Sequence, residues 1–135
     1  MADNYVDIPM LVLKLRSAAA ITTGYLLQAD SVGYKNCADS DLAVGMMAME
    51  PATDSAQYFD ALVIGTAYFG YADSFQAGLN VTYSAAGKME AADSGKHDIG
   101  ISVDRATTDT ATRAYRVFLW GASTDAGADC WVDTA

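Results

Sequence analysis

Short apolar alternations, broken by glycine and by Ala-Asp-Ser and repeated at a fixed distance, constrain this chain more than any other feature. Residues 24–33, GYLLQADSVG, recur as residues 78–87, GLNVTYSAAG. At an offset of 54, Gly24 matches Gly78, Gly33 matches Gly87, and Ala38-Asp39-Ser40 matches Ala92-Asp93-Ser94. After a slip of one residue Gly45 matches Gly100, and Val63-Ile64 falls opposite Phe118-Leu119. A fixed spacing of glycines favours a duplicated unit over coincidence.

The period of each unit is that of a strand. Leu79, Val81 and Tyr83 alternate with Asn80 and Thr82, the pattern of a half-buried pleat. Gly87 closes the short loop after them, and a further strand should start near Lys88. Ile99, Ile101 and Val103 alternate again, as do Tyr115, Val117 and Leu119. The first copy predicts strands over Gly24 to Ala29, Tyr34 to Ala38, Val44 to Met49 and Asp60 to Phe69, the last long enough to break into two near Gly65. Gly24, Gly33, Gly78, Gly87 and Gly100 are expected at turns. Residues 10–16, MLVLKLR, read as one further strand or as an extended arm.

No stretch holds a helical period for three turns. The expected fold is all-β: a small barrel or sandwich of short antiparallel strands, possessing an extended N-terminal arm and built from two duplicated strand units. Residues 1–18 form the arm or first strand, 19–121 the compact domain with repeat units 21–65 and 75–121, and 122–135 a C-terminal extension.

Composition narrows the function. Of 135 residues 52% are hydrophobic and 19% charged, which supplies a core and argues against a disordered chain. Eight Lys plus Arg against 17 Asp plus Glu give a net charge of −9, so nucleic acid and anionic membranes are disfavoured partners. The same acidity also serves solubility alone. No apolar run approaches the roughly 20 residues of a membrane helix. Asp3 and Asp7 stand where a signal peptide needs basic residues, so residence in a cytoplasm is the expectation.

Reactive groups are sparse, and neither enzyme activity nor a cofactor or metal is expected. His97, the only histidine, lies between Lys96 and Asp98 with no nucleophile at a recognisable spacing. Asp39-Ser40-Asp41 lacks the glycine and distal glutamate of a calcium loop. GTAYFG, residues 65–70, lacks the Gly-Lys-Ser/Thr of a phosphate loop, and Asn80-Val81-Thr82 is a glycosylation sequon in a chain expected to stay unsecreted. Cys37 and Cys130 have no metal-ligand spacing, and are either bridged or two thiols.

What this leaves is an apolar surplus near the ends: Tyr5, Ile8, Leu11 and Leu13 at one, Trp120 and Trp131 at the other. They are either core or the anchors of an interface.

The stretch AGLNVTYSAAGKMEAADSGKHDIGISV, with the closing ATRAYRVFLWG, resembles the capsid decoration, or cement, proteins of tailed bacteriophages. The likeness covers about two thirds of the chain, including the weaker first copy from GYLLQADSVG to AVGMMAM; the tail after Gly121 departs from it. It implies a virion protein, a homotrimer bound to the major capsid protein on the outside of the mature head, away from genome and membrane. In that reading Tyr5, Ile8, Leu11 and Leu13 touch the capsid or a neighbouring copy. A head-fibre base, a tail-associated module or a carbohydrate-binding domain, with tryptophan stacking on sugar, are the alternatives.

Overall fold

The computed structural model describes residues 4–38, 43–70, 76–83, 88–91, 98–105 and 114–124. Nine strands and no helix occur among them: β1 (Tyr5–Arg16), β2 (Leu26–Asp30), β3 (Gly33–Asn36), β4 (Ala43–Ala48), β5 (Tyr58–Gly70), β6 (Asn80–Tyr83), β7 (Met89–Ala91), β8 (Asp98–Ser102) and β9 (Ala114–Thr124). All pair antiparallel in one sheet, ordered β3-β2-β4-β5-β9-β8-β6-β7, curled into a half-barrel. β4 and β9 lie end to end along one edge of β5, at Ala61–Leu62 and at Ile64–Gly70, and β1 runs along its other edge from Tyr58 to Tyr68.

The spacing seen in the sequence is also a hydrogen-bond spacing. Gly24 and Gly78 have φ of 88° and 81°, a left-handed backbone that glycine adopts without strain. Gly24 N–H donates to Ala48 O and Gly78 N–H to Ser102 O, both at 2.8 Å; Ala48 N–H donates to Tyr25 O and Ser102 N–H to Leu79 O, both at 2.9 Å. Gly24, Tyr25 and Ala48 are each 54 residues from their counterparts Gly78, Leu79 and Ser102. Leu26 opposite Met47 and Asn80 opposite Ile101 keep this offset, whereas around Gly45 and Gly100 it changes by two and not by one, because a bulge sets Leu27 opposite Val44 while Val81 stands opposite Gly100. The same two-residue difference appears on the next strand, where Met49 N–H donates to Asp60 O and Val103 N–H to Arg116 O.

Gly100 corrects the turn expectation, since it lies inside β8, while Gly33 closes the two-residue turn from β2 into β3, opposite Asp30. A Cβ on Gly33 would run into the Arg16 carbonyl, and one on Gly100 into the Phe118 carbonyl, so close backbone approach explains them. Gly87, Asp39 to Asp41, His97, Cys130 and Trp131 lie outside the described residues.

β5 corrects a second expectation. Its 13 residues form one strand, and the disruption near Gly65 is an irregularity in register: Leu11 sits opposite Ile64 while Val12 sits opposite Leu62, leaving Val63 extra. A bulge of this kind bends a strand and re-aims its side chains. Before it, Phe59, Ala61 and Val63 enter one hydrophobic cluster with Ile21, Leu27, Val44 and Met46. After it, Ala67 and Phe69 join Leu62 in the other, with Val81, Met89, Ile99, Tyr115, Val117 and Leu119. β5 thus serves both clusters, and the consecutive burial of Ala61, Leu62 and Val63 follows from core on both faces at the bulge.

β1 is seated in this sheet. Beyond its pairing with β5, the Asn4 amide donates to Gly24 O at 2.9 Å and accepts from Gly70 N–H at 3.0 Å. Removing residues 2–16 would strip the β5 edge and these ties, so the deletion is not the neutral truncation that an arm would allow.

Candidate functional site: an apolar surface on β1 and the outer sheet face

Residues opposite each other in antiparallel pairs share a face, so the register defines what β1, β5, β9 and β8 present outward. Tyr5 faces Tyr68, which faces Arg116. Ile8 faces Thr66, then Phe118, then Ile101, then Asn80. Between these positions Ala67, Phe69, Val117 and Leu119 are fully buried in the core. An antiparallel sheet with one buried face ordinarily turns polar residues outward. Here half-buried Tyr68, Phe118 and Ile101 occupy that face beside Thr66 and Arg116.

The polar groups of the surface are held in place. Tyr5 and Tyr68 stack with centroids 4.6 Å apart and planes 18° from parallel. Thr66 Oγ1 accepts from Ile8 N–H at 3.2 Å and donates to Asp7 Oδ2 at 3.0 Å. Arg116 clamps Asp104 bidentately, Nε to Oδ2 at 2.9 Å and Nη2 to Oδ1 at 2.8 Å, and its backbone N–H also reaches Oδ2 at 3.1 Å. Those side-chain bonds hold the Asp104 carboxyl below its ordinary range, against a smaller opposing effect of burial, and raise the Arg116 guanidinium.

A carboxyl lowered in the folded state contributes stability above its unfolded value, which is lost as pH falls through the folded one. Asp104→Asn should therefore flatten the loss of stability below pH 3.8, read as urea midpoint against pH. Parallel curves for variant and wild type would remove the pair from the acid response.

β1 carries the most exposed part of the surface. Six of the ten exposed large apolar residues described lie on it: Tyr5, Ile8, Met10, Leu11, Val12 and Leu13, at 37% to 69% exposure. Only Val6 and Leu15 of this strand pack against the clusters. The structure thus places Tyr5, Ile8, Leu11 and Leu13 on one exposed strand and not in the core. Trp120 is half-buried opposite Ile64.

Sequence reasoning missed Met10, Val12, Tyr68 and Phe118. A usable signal existed for Tyr68: within the apolar run from Ala61 to Ala72, a strand with one core face must still show apolar residues on the other.

Reactive chemistry does not gather here. Among the described residues no three His, Cys, Asp or Glu side chains converge as metal ligands. Three of the four buried polar side chains described serve neighbouring backbone: Ser17 Oγ donates to Asp54 O, Gln28 accepts from Ala38 N–H, and Ser102 Oγ donates to Gln76 O, while Thr82 Oγ1 has no hydrogen-bond partner among the described residues. Cys37 is buried in the second cluster. No described helix is long and apolar enough to cross a membrane. Comparison with protein-family models, curated proteins and solved structures finds no match.

Proposed function

We propose that the protein is a virion structural component: a decoration or cement protein on the outer surface of the mature head of a tailed phage, made in the host cytoplasm and without enzymatic activity. The observation that carries this reading is the apolar surface continuous from β1 onto the outer face of β5 and β9. Large exposed apolar patches mark surfaces that are covered in an assembly, and the resemblance in residues 77–103 supplies the kind of assembly. Its partners in this reading are the major capsid protein and further copies of the chain, as trimers at local threefold positions. A net charge of −9 suits a protein that does not touch the packaged genome.

Cementing is binding free energy distributed over many equivalent sites. Each copy that binds the expanded lattice and not its precursor stabilises the former by mass action. A copy that bridges two capsomers adds avidity to that effect.

The test is to mix purified protein with mature and immature heads and image both by electron microscopy. Density at threefold positions on mature heads alone is the expected result. Equal decoration of both, or none, would overturn the reading, as would a monomer that binds glycans and ignores heads.

A further inference from the structure

We infer that β1 is the contact for a second copy of this chain, the two β1 strands lying antiparallel about a dyad between residues 10 and 11. Three observations carry this. From Tyr5 to Lys14, β1 pairs with β5 on one side, and among the described residues its other edge meets the rest of the sheet only at its end, where Ser17 bridges Tyr34. The side chains along that free stretch are apolar and exposed, flanked by Asp7 towards one end and Lys14 and Arg16 towards the other. The strand is also self-complementary in charge. About that dyad each Asp7 stands beside the Lys14 of the other copy, each Tyr5 beside Arg16, and each Ile8 beside Leu13.

The charge pattern selects both the partner and the orientation. Two chains of net charge −9 repel, so the patch on which they meet must supply opposite charges or none. A parallel arrangement would set Lys14 against Lys14 and Asp7 against Asp7. The antiparallel one pairs opposite charges twice and buries the apolar residues between.

Pro9 and the register irregularities at Val6/Ile8 and Pro9/Leu11 limit how many ladder bonds this edge offers. Side chains therefore carry the contact. The twofold arrangement uses the same patch on both copies and so closes on itself, without growing into a fibre.

The contact deepens the proposed function, resting on that reading only for its place in the particle: it would tie neighbouring trimers together across a local twofold. It can be measured in solution without capsids, so its failure and that of capsid binding are separate results.

Sedimentation of wild type, Asp7→Lys, Lys14→Asp and the double variant tests it. Wild type should dimerise, or join its trimers in pairs, as concentration rises. Each single change turns two attractive pairs into repulsive ones and should weaken association roughly tenfold or more. The double variant restores opposite charges and should return association to within about threefold of wild type. Lys14 also pairs with Asp60 of its own chain, Nζ to Oδ1 at 3.0 Å. Losing that pair lowers the melting temperature of Lys14→Asp alone and of the double variant alike, so it cannot produce the rescue. Wild type that never associates through this step, single variants that associate as it does, or a double variant no better than the singles would each overturn the contact.

Discussion

Gly65→Ala is expected to destabilise the protein by roughly 4 kcal/mol, from the strain of a non-glycine residue in a sparsely populated backbone region together with overpacking. Gly65 has φ of 150°. A Cβ there would run into the Ile8 carbonyl of β1 and come within 3.1 Å of both Leu62 Cδ1 and Met10 N. The Ile8 carbonyl is backbone and cannot rotate away, so relief requires β1 to lift from β5. Gly70→Ala is the control. Among the described residues a Cβ there would meet only Lys88 Cγ at 3.8 Å, and its urea midpoint should stay close to wild type. Equal midpoints for the two variants would mean that β1 does not sit against β5 at this position, and the apolar surface would lose its geometry with it.

The second large effect concerns binding. Tyr68→Ala combined with Phe118→Ala should lower occupancy on mature heads by two orders of magnitude or more, since aromatic anchors at the centre of an interface each contribute on the order of 2 kcal/mol or more. Neither residue belongs to the buried clusters, so the fold should persist, with about 1 kcal/mol lost from the Tyr5–Tyr68 stack. Urea midpoints separate the two effects. A folded double variant that decorates heads normally would exclude the outer face of β5 and β9 from the binding surface.

These two variants also mark where the sequence was readable and where it was not. Alternation in Leu79 to Tyr83, Ile99 to Val103 and Tyr115 to Leu119 predicted β6, β8 and β9. Gly65 was visible as an interruption of β5, yet not as the close approach of β1 that it permits, because a glycine that breaks a strand and one that admits a neighbour's carbonyl look alike in sequence. Gly100 was misread as a turn glycine for the same reason. Tyr5, Ile8, Leu11 and Leu13 stood out as an apolar surplus without revealing whether they were core or surface. Tyr68 and Phe118 did not stand out, sitting in strands where every neighbour is apolar.

By itself, then, the sequence determined the strand period, the absence of helix among the described residues and the positive-φ turns at Gly24 and Gly78. Each depends on residues close together in the chain: a pleat repeats every two residues, and a left-handed turn needs only its own missing side chain. The tertiary structure alone decided that β5 is central and β1 an edge. That choice is made by pairing between residues about 40 to 60 positions apart, such as Arg16 with Tyr58 and Tyr5 with Tyr68, and by which clusters the bulge lets β5 fill. The same apolar alternation is core on a central strand and surface on an edge strand, because burial belongs to the position of the strand in the sheet.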